Sequence, residues 1–242
     1  MFLYFFIISF FDFCLKNSFQ KRFEPTEFRF EKVFKIWYKR LFKFSPALQI
    51  EYDKIYNLAK PSPDSKLFCA QVRIGGKAIK NVNSFDDFAF MQVNKSENYW
   101  RYIDDNFISK GDQNYKVFVT SDNQEVIKMA LDHYGSDRLV ITGNNTFHID
   151  KQYNNSKCNQ ATGLFVDFNM LSQCDMGVLS HSGYGMVPIL NKEPETWSHF
   201  SVYSTKHLLY EARKNHSFWR FRLNETLEFI PFTKDFFYVH NW

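Results

Sequence analysis

The stretch YKVFVTSDNQEVIKMALDHY (115–134) carries the decision about fold class. Its first part, YKVFVTS (115–121), is an apolar run rich in valine and aromatic residues, too short for a helix, that ends at Asp122. From Glu125 to Tyr134 the spacing changes: Val126, Ile127, Ala130 and Leu131 fall on one face of a helix. The same alternation continues on both sides. LFCAQVRI (67–74) is a second apolar run, ending at Gly75-Gly76, and Glu97 to Ile108 places Tyr99, Trp100, Ile103 and Phe107 on one helical face. RLVIT (138–142) reads as a third short strand, followed by an Asn-rich polar loop over 143–160 and a helix over about 161–173. DMGVLS (175–180) is the next strand, leading through a glycine-bearing turn into an apolar helix that ends near Leu190. Short apolar strands separated by helices describe a parallel sheet covered on both faces, so the expected class is a Rossmann-like α/β domain.

Two helices are expected before the first strand. EKVFKIWYKRLF (31–42) repeats Val33, Phe34, Trp37, Leu41 and Phe42 at steps of three and four. Ser45 and Pro46 then suit an N-cap and a first helical position, opening a second helix that Pro61-Ser62-Pro63 stops. At the other end, residues 191–242 offer a strand at 200–204 and a helix starting near Thr205.

Composition sets the outer limits. Of 242 residues, 45% are hydrophobic, 19% aromatic and 23% charged, with 9 Gly and 7 Pro, which is ample apolar surface for a core and excludes a disordered or collagenous chain. Thirty basic against 26 acidic groups leave a charge of only +4, and no Lys/Arg block interleaves with aromatics, so nucleic acid is not an expected partner. Thirteen of the 29 phenylalanines lie in the first 50 residues, and the run MFLYFFIISFF (1–11) is shorter than the ~20 residues of a spanning helix. Lys16, Lys21 and Arg22 follow this run and none precedes it, the reverse of a cleavable signal. Residues 1–30 therefore read as either an apolar leader, with an amino-terminal membrane anchor among its forms, or the remnant of a preceding domain; residues 31–242 form the Rossmann-like domain.

Cys14, Cys69, Cys158 and Cys174 lack metal-ligand spacing, and Cys69 and Cys174, inside apolar stretches, read as buried small hydrophobes. The seven histidines form no H-x-x-x-H or H-x-H pair, and Asp86-Asp87 and Asp104-Asp105 read as solvated pairs, so no metal is expected. Five N-x-S/T sequons, at Asn94, Asn144, Asn154, Asn215 and Asn224, point to a secretory lumen.

Ligands of an open parallel sheet bind outside the carboxyl ends of its strands. The polar residues there are Arg73, Gly75 and Gly76 after the first strand, Thr120, Ser121 and Asp122 after the second, and Ser180, His181, Ser182 and Gly183 after the last. Ser182 and Gly183 open a helix and suit a phosphate, or simply cap that helix. Arg73 follows apolar Val72 and calls for an anion, either a ligand's or a structural partner's. No G-x-G-x-x-G, P-loop or G-x-S-x-G pattern is present, which removes nicotinamide binding, P-loop chemistry and the nucleophile elbow from the reading.

Taken together, these strand ends resemble the donor-binding half of the GT-B fucosyltransferases, the superfamily of α1,6-fucosyltransferases and protein O-fucosyltransferases. Gln71-Val72-Arg73-Ile74-Gly75 is similar to the family's H-x-R-R or H-x-R-I-G motif, and VFVTSDNQEVIKMA (117–130) to its strand ending in Thr/Ser-Asp. VDFNMLSQCDMGVLSHSGYG (166–185) matches the signature D-x-x-x-L-S-x-x-D-x-x-V-x-x-x-S at Asp167, Leu171, Ser172, Asp175, Val178 and Ser182. The resemblance covers about residues 34–190 and implies the carboxy-terminal half of a GT-B enzyme, with the acceptor-side domain truncated or missing.

The resemblance also implies roles. Arg73 would neutralise the β-phosphate of a GDP leaving group as the catalytic cation, Ser182 and the N–H groups from Gly183 onward would hold the same phosphate, and Asp167 would accept from the guanine edge. Gln71, Ser121 and Asp122 would line the nucleotide site. Gln71 stands where the family has histidine, and Ile74 follows the protein O-fucosyltransferase form. Asn81, Asp86 and Asp87 lie near the place where α1,6 enzymes carry a glutamate, so no general base is assigned. The implied activity is metal-independent, inverting transfer of fucose from GDP-fucose to a glycan or protein hydroxyl, in the Golgi or endoplasmic reticulum, with no cofactor beyond the donor. The alternative is a non-catalytic nucleotide-binding relic or interaction module of the same fold, or a fragment of a longer enzyme; transfer of a different sugar is a third reading.

Overall fold

The computed structural model describes residues 30–75, 91–108, 113–143, 158–204 and 228–233. Residues 1–29, expected as an apolar leader or the remnant of a preceding domain and including Cys14, together with Gly76, Asn81, Asp86, Asp87, the sequons at Asn144, Asn154, Asn215 and Asn224, and the helix expected near Thr205, lie outside these residues.

Two helices precede the sheet, α1 (Phe30–Leu41) and α2 (Pro46–Ala59). Ser45 caps α2 through its hydroxyl, which accepts from the Leu48 N–H, with Pro46 at the first helical position. The chain then alternates: β1 (Lys66–Val72), a 3₁₀ turn (Val93–Ser96), α3 (Glu97–Asn106), β2 (Tyr115–Ser121), α4 (Gln124–Tyr134), β3 (Leu139–Val140), α5 (Cys158–Leu171) and β4 (Met176–Ser180). A single helical turn, α6 (Gly183–Met186), and two 3₁₀ segments lead to β5 (Phe200–Ser204), with β6 (Glu228–Pro231) after it.

Among the described residues the strands form one sheet of order β3-β2-β1-β4-β5-β6, parallel throughout except for the antiparallel β5–β6 pair. The α/β class expected from the sequence is therefore what the chain adopts. Cys69 pairs with Phe118, which pairs with Val140, so one face collects Leu67, Cys69, Phe118, Val140 and Leu179 against Ile55 of α2 and Val166, Met170 and Leu171 of α5. The opposite face, Phe68, Ala70, Val72, Val117, Val119 and Val178, packs on Tyr99, Trp100 and Ile103 of α3 and Val126, Ile127 and Ala130 of α4. Each fully enclosed large side chain, such as Trp100, Phe68 or Phe118, contributes about 1.5–3 kcal/mol of burial.

Several details differ from expectation. Leu131, assigned to the buried face of α4, stands 43% exposed at the edge of that stripe. β3 spans two residues rather than five, and α5 starts at Cys158, three residues earlier than expected. The helix after β4 is one α-turn continued as 3₁₀ over Val187–Asn191, because Pro188 has no N–H for the α-helical ladder. β6 was not expected at all; its short Glu-Phe-Ile-Pro run ends in a proline, which an edge strand accommodates.

Cys69 and Cys174 are buried, as the sequence suggested, but they are joined in a disulfide that links β1 to the turn before β4 across 105 residues. Beside it, the Asp175 carboxylate accepts from the Leu67 N–H at 2.8 Å and from Lys60 Nζ at 2.9 Å. Together these fasten the amino-terminal edge of the sheet. No helix among the described residues is long and apolar enough to cross a membrane.

Candidate nucleotide-binding site

The chain crosses from one side of the sheet to the other at β1: β2 and β3 lie to one side, and β4 and β5 to the other. Helices leave adjacent strands on opposite faces at such a point, and a crevice opens at the carboxyl ends. Here that places the ends of β1 and β4 at its mouth, with β2 alongside.

The backbone leaving β1 is tied on both sides. The Arg73 N–H donates to Ser180 Oγ of β4 at 2.7 Å, and that hydroxyl also pairs with the buried Tyr99 hydroxyl at 2.8 Å. The next two N–H groups donate to the carboxylate after β2: Ile74 to Asp122 Oδ1 at 2.8 Å and Gly75 to Oδ2 at 2.9 Å. Gly75 has φ +63°, a left-handed conformation that costs a residue with a side chain roughly 1–2 kcal/mol. Arg73 Nη1 lies 3.0 Å from the same Oδ2; its side chain is 28% exposed, against 7% for Asp122. The structural ion pair expected as one reading of Arg73 is thus present, and the side chain keeps partial exposure.

On the other face, Gln71 is 3% exposed and its Oε1 accepts from the Ser182 hydroxyl at 3.2 Å. Ser182 Oγ in turn accepts from the Gly185 N–H at 3.3 Å, capping α6, which Gly183 opens. A Cβ at Gly185 would stand 2.3 Å from Gln71 Oε1, so the glycine allows the turn to sit against the strand end. The capped turn considered for Ser182 is therefore also present.

Thr120 is in register with Gln71 and shares its face. Its hydroxyl donates to Asp167 of α5 at 2.5 Å, and Thr142, just past β3, donates to the other Asp167 oxygen. Protein atoms crowd this carboxyl although the residue keeps some accessible surface, and burial pushes its pKa up to about 6 against the partial relief of the two hydroxyls. Ser121, in register with Val72, accepts the Asn123 N–H at 3.2 Å, and Asn123 caps α4.

The fold thus gathers Gln71, Arg73, Ser121, Asp122, Asp167, Ser182 and Gly183 at the carboxyl edge of the sheet, with bonds linking them in three groups: Arg73–Asp122, Gln71–Ser182, and Asp167 with the threonines. Two contributors escaped sequence reasoning. Thr142, the polar end of the RLVIT strand, carries a readable signal; Tyr99 signals only an apolar helical face. His181, next to Ser182, is buried at 6% exposure. No group of three or more His, Cys, Asp or Glu among the described residues could hold a metal ion.

No family model and no curated protein matches the chain. Among solved structures, the crystal structure of NodZ alpha-1,6-fucosyltransferase soaked with GDP-fucose aligns over 69% of this chain with 14% sequence identity and a TM-score of 0.41. The alignment covers 47% of that protein, so this chain spans about half its length.

Proposed function

We propose that this chain is the donor-binding portion of an inverting glycosyltransferase that takes GDP-fucose and passes fucose to a glycan or protein hydroxyl. The observation that supports the reading is that the three motif-bearing strand ends lie side by side where the described sheet switches direction, β1 and β4 at the crevice and β2 next to them. In the proposed reaction the acceptor hydroxyl oxygen bonds to the anomeric carbon as the bond from that carbon to the β-phosphate oxygen breaks, and GDP departs with the electron pair. The hydroxyl proton passes to a general base or to solvent. Negative charge grows on the departing diphosphate, and a fixed guanidinium at Arg73 stabilises it without a metal. Ser182 and the Gly183 turn would line the same diphosphate, Gln71 and Ser121 would border the nucleotide with Asp122 behind Arg73, and Asp167 would face the base. A buried disulfide supports synthesis in an oxidising compartment, in keeping with the sequons and a Golgi or endoplasmic-reticulum lumen.

Calorimetry with GDP tests the proposal. The wild type is expected to bind and Arg73→Ala to lose at least about tenfold in affinity, near 1.4 kcal/mol; a wild type that ignores GDP, or a variant that binds as well, ends the assignment. A second reading, a non-catalytic nucleotide-binding module, is favoured by the charge compensation of Arg73 by Asp122. It predicts GDP binding without GDP release from GDP-fucose over any acceptor panel, and sustained release removes it.

A further inference from the structure

We infer that Asp122 is a positioning residue, an internal anion that presets the Arg73 guanidinium and the Ile74–Gly75 backbone at the mouth of the crevice without itself touching the bound nucleotide. The inference rests on the proposed donor-binding role. Two successive N–H groups, with Gly75 in the left-handed region, make an anion-binding concavity, and its occupant is the Asp122 carboxylate. Oδ1 takes Ile74, and Oδ2 takes Gly75 and the Arg73 guanidinium, so both oxygens are committed to protein donors. The carboxylate is the more buried member of the pair, its side chain 7% exposed against 28% for Arg73. An arginine on its own is a long side chain with many rotamers; a guanidinium already held by Asp122 need not first be ordered to meet an incoming diphosphate. Ser180 performs the matching task on the other flank by accepting the Arg73 N–H.

The same contacts admit a rival: the carboxylate occupies the seat of a phosphate and must be displaced by it. The two ideas predict opposite signs. For a positioning Asp122, Asp122→Asn weakens GDP binding by about tenfold, and Asp122→Asn adds little once Arg73→Ala is present. If Asp122→Asn tightens GDP binding, or leaves it unchanged, the inference is wrong. Guanidinium hydrochloride at millimolar concentration is expected to restore GDP affinity to Arg73→Ala, because Asp122 recruits the free cation, and to fail with Arg73→Ala/Asp122→Asn; absence of rescue in the single variant also overturns the inference. A ligand-free measurement separates failure here from failure of the nucleotide reading. In the side-chain spectrum of ¹⁵N-arginine-labelled wild type, Arg73 should show hindered guanidinium rotation that becomes averaged in Asp122→Asn. Freely averaged wild-type Arg73 signals refute the clamp whether or not GDP binds, and need no variant to fold.

Discussion

Asp167 joins α5 to the ends of β2 and β3 through Thr120 and Thr142, and it does so with a carboxyl that its surroundings discourage from ionising. A group whose folded-state pKa is raised, here from 3.8 to about 6, holds its proton more tightly in the folded chain. Its favourable contribution is complete below the ordinary carboxylate range and fades as pH rises through about 6. Asparagine can accept from one threonine and donate to the other without carrying charge. Asp167→Asn should therefore gain stability relative to the wild type between about pH 4 and pH 7, on the order of 2 kcal/mol by denaturant titration at each pH. A difference that does not change with pH would show that this carboxyl ionises freely. At this scale the sequence revealed which residues sit at strand ends, because a strand end is a local property. It did not reveal that Asp122 would face Arg73 or that Thr142 would reach Asp167, since those pairings depend on which strands become neighbours.

The disulfide belongs to the scale of elements, because Cys69 is central in β1 and Cys174 lies in the turn that feeds β4. Closing a loop of 105 residues removes unfolded-chain entropy equivalent to about 4–5 kcal/mol in the chain-entropy account. Cys69→Ala/Cys174→Ala should melt roughly 10 °C below the wild type in calorimetry, with the loss matched by wild type unfolded in reductant. Equal melting points would mean that packing alone sets the position of this turn. The alternation of strands and helices was legible because apolar runs of strand length and faces of helical period differ in their spacing, as α4 after β2 illustrates. The disulfide was hidden by the same apolar context that made both cysteines read as core, and β6 by the brevity and modest burial of its four residues. The short α6 could have been anticipated from two glycines followed by Pro188.

For the molecule as a whole, the two edges of the sheet have separate tasks. The amino-terminal edge holds the disulfide and the Lys60–Asp175–Leu67 contacts, and the carboxyl edge holds the candidate site. Hydrogen exchange should register this division: on adding GDP, amides at 73–75 and 180–185 should slow while Leu67 and Asp175 stay as they were. Slowing confined to regions other than 73–75 and 180–185 would place the ligand elsewhere. The three bonds that tie the ends of β1, β2 and β4 to one another span distant parts of the chain: 48 residues from Ile74 to Asp122, 107 from Arg73 to Ser180 and 111 from Gln71 to Ser182. No hairpin or single strand-helix unit contains even one of them. Contacts of that reach form only after their loops have closed. On the proposed donor-binding role, nucleotide affinity would report completed topology: a chain stopped before β4 would carry Arg73 without Ser180, and a folding reaction followed by GDP binding would give signal only after β1, β2 and β4 had come together.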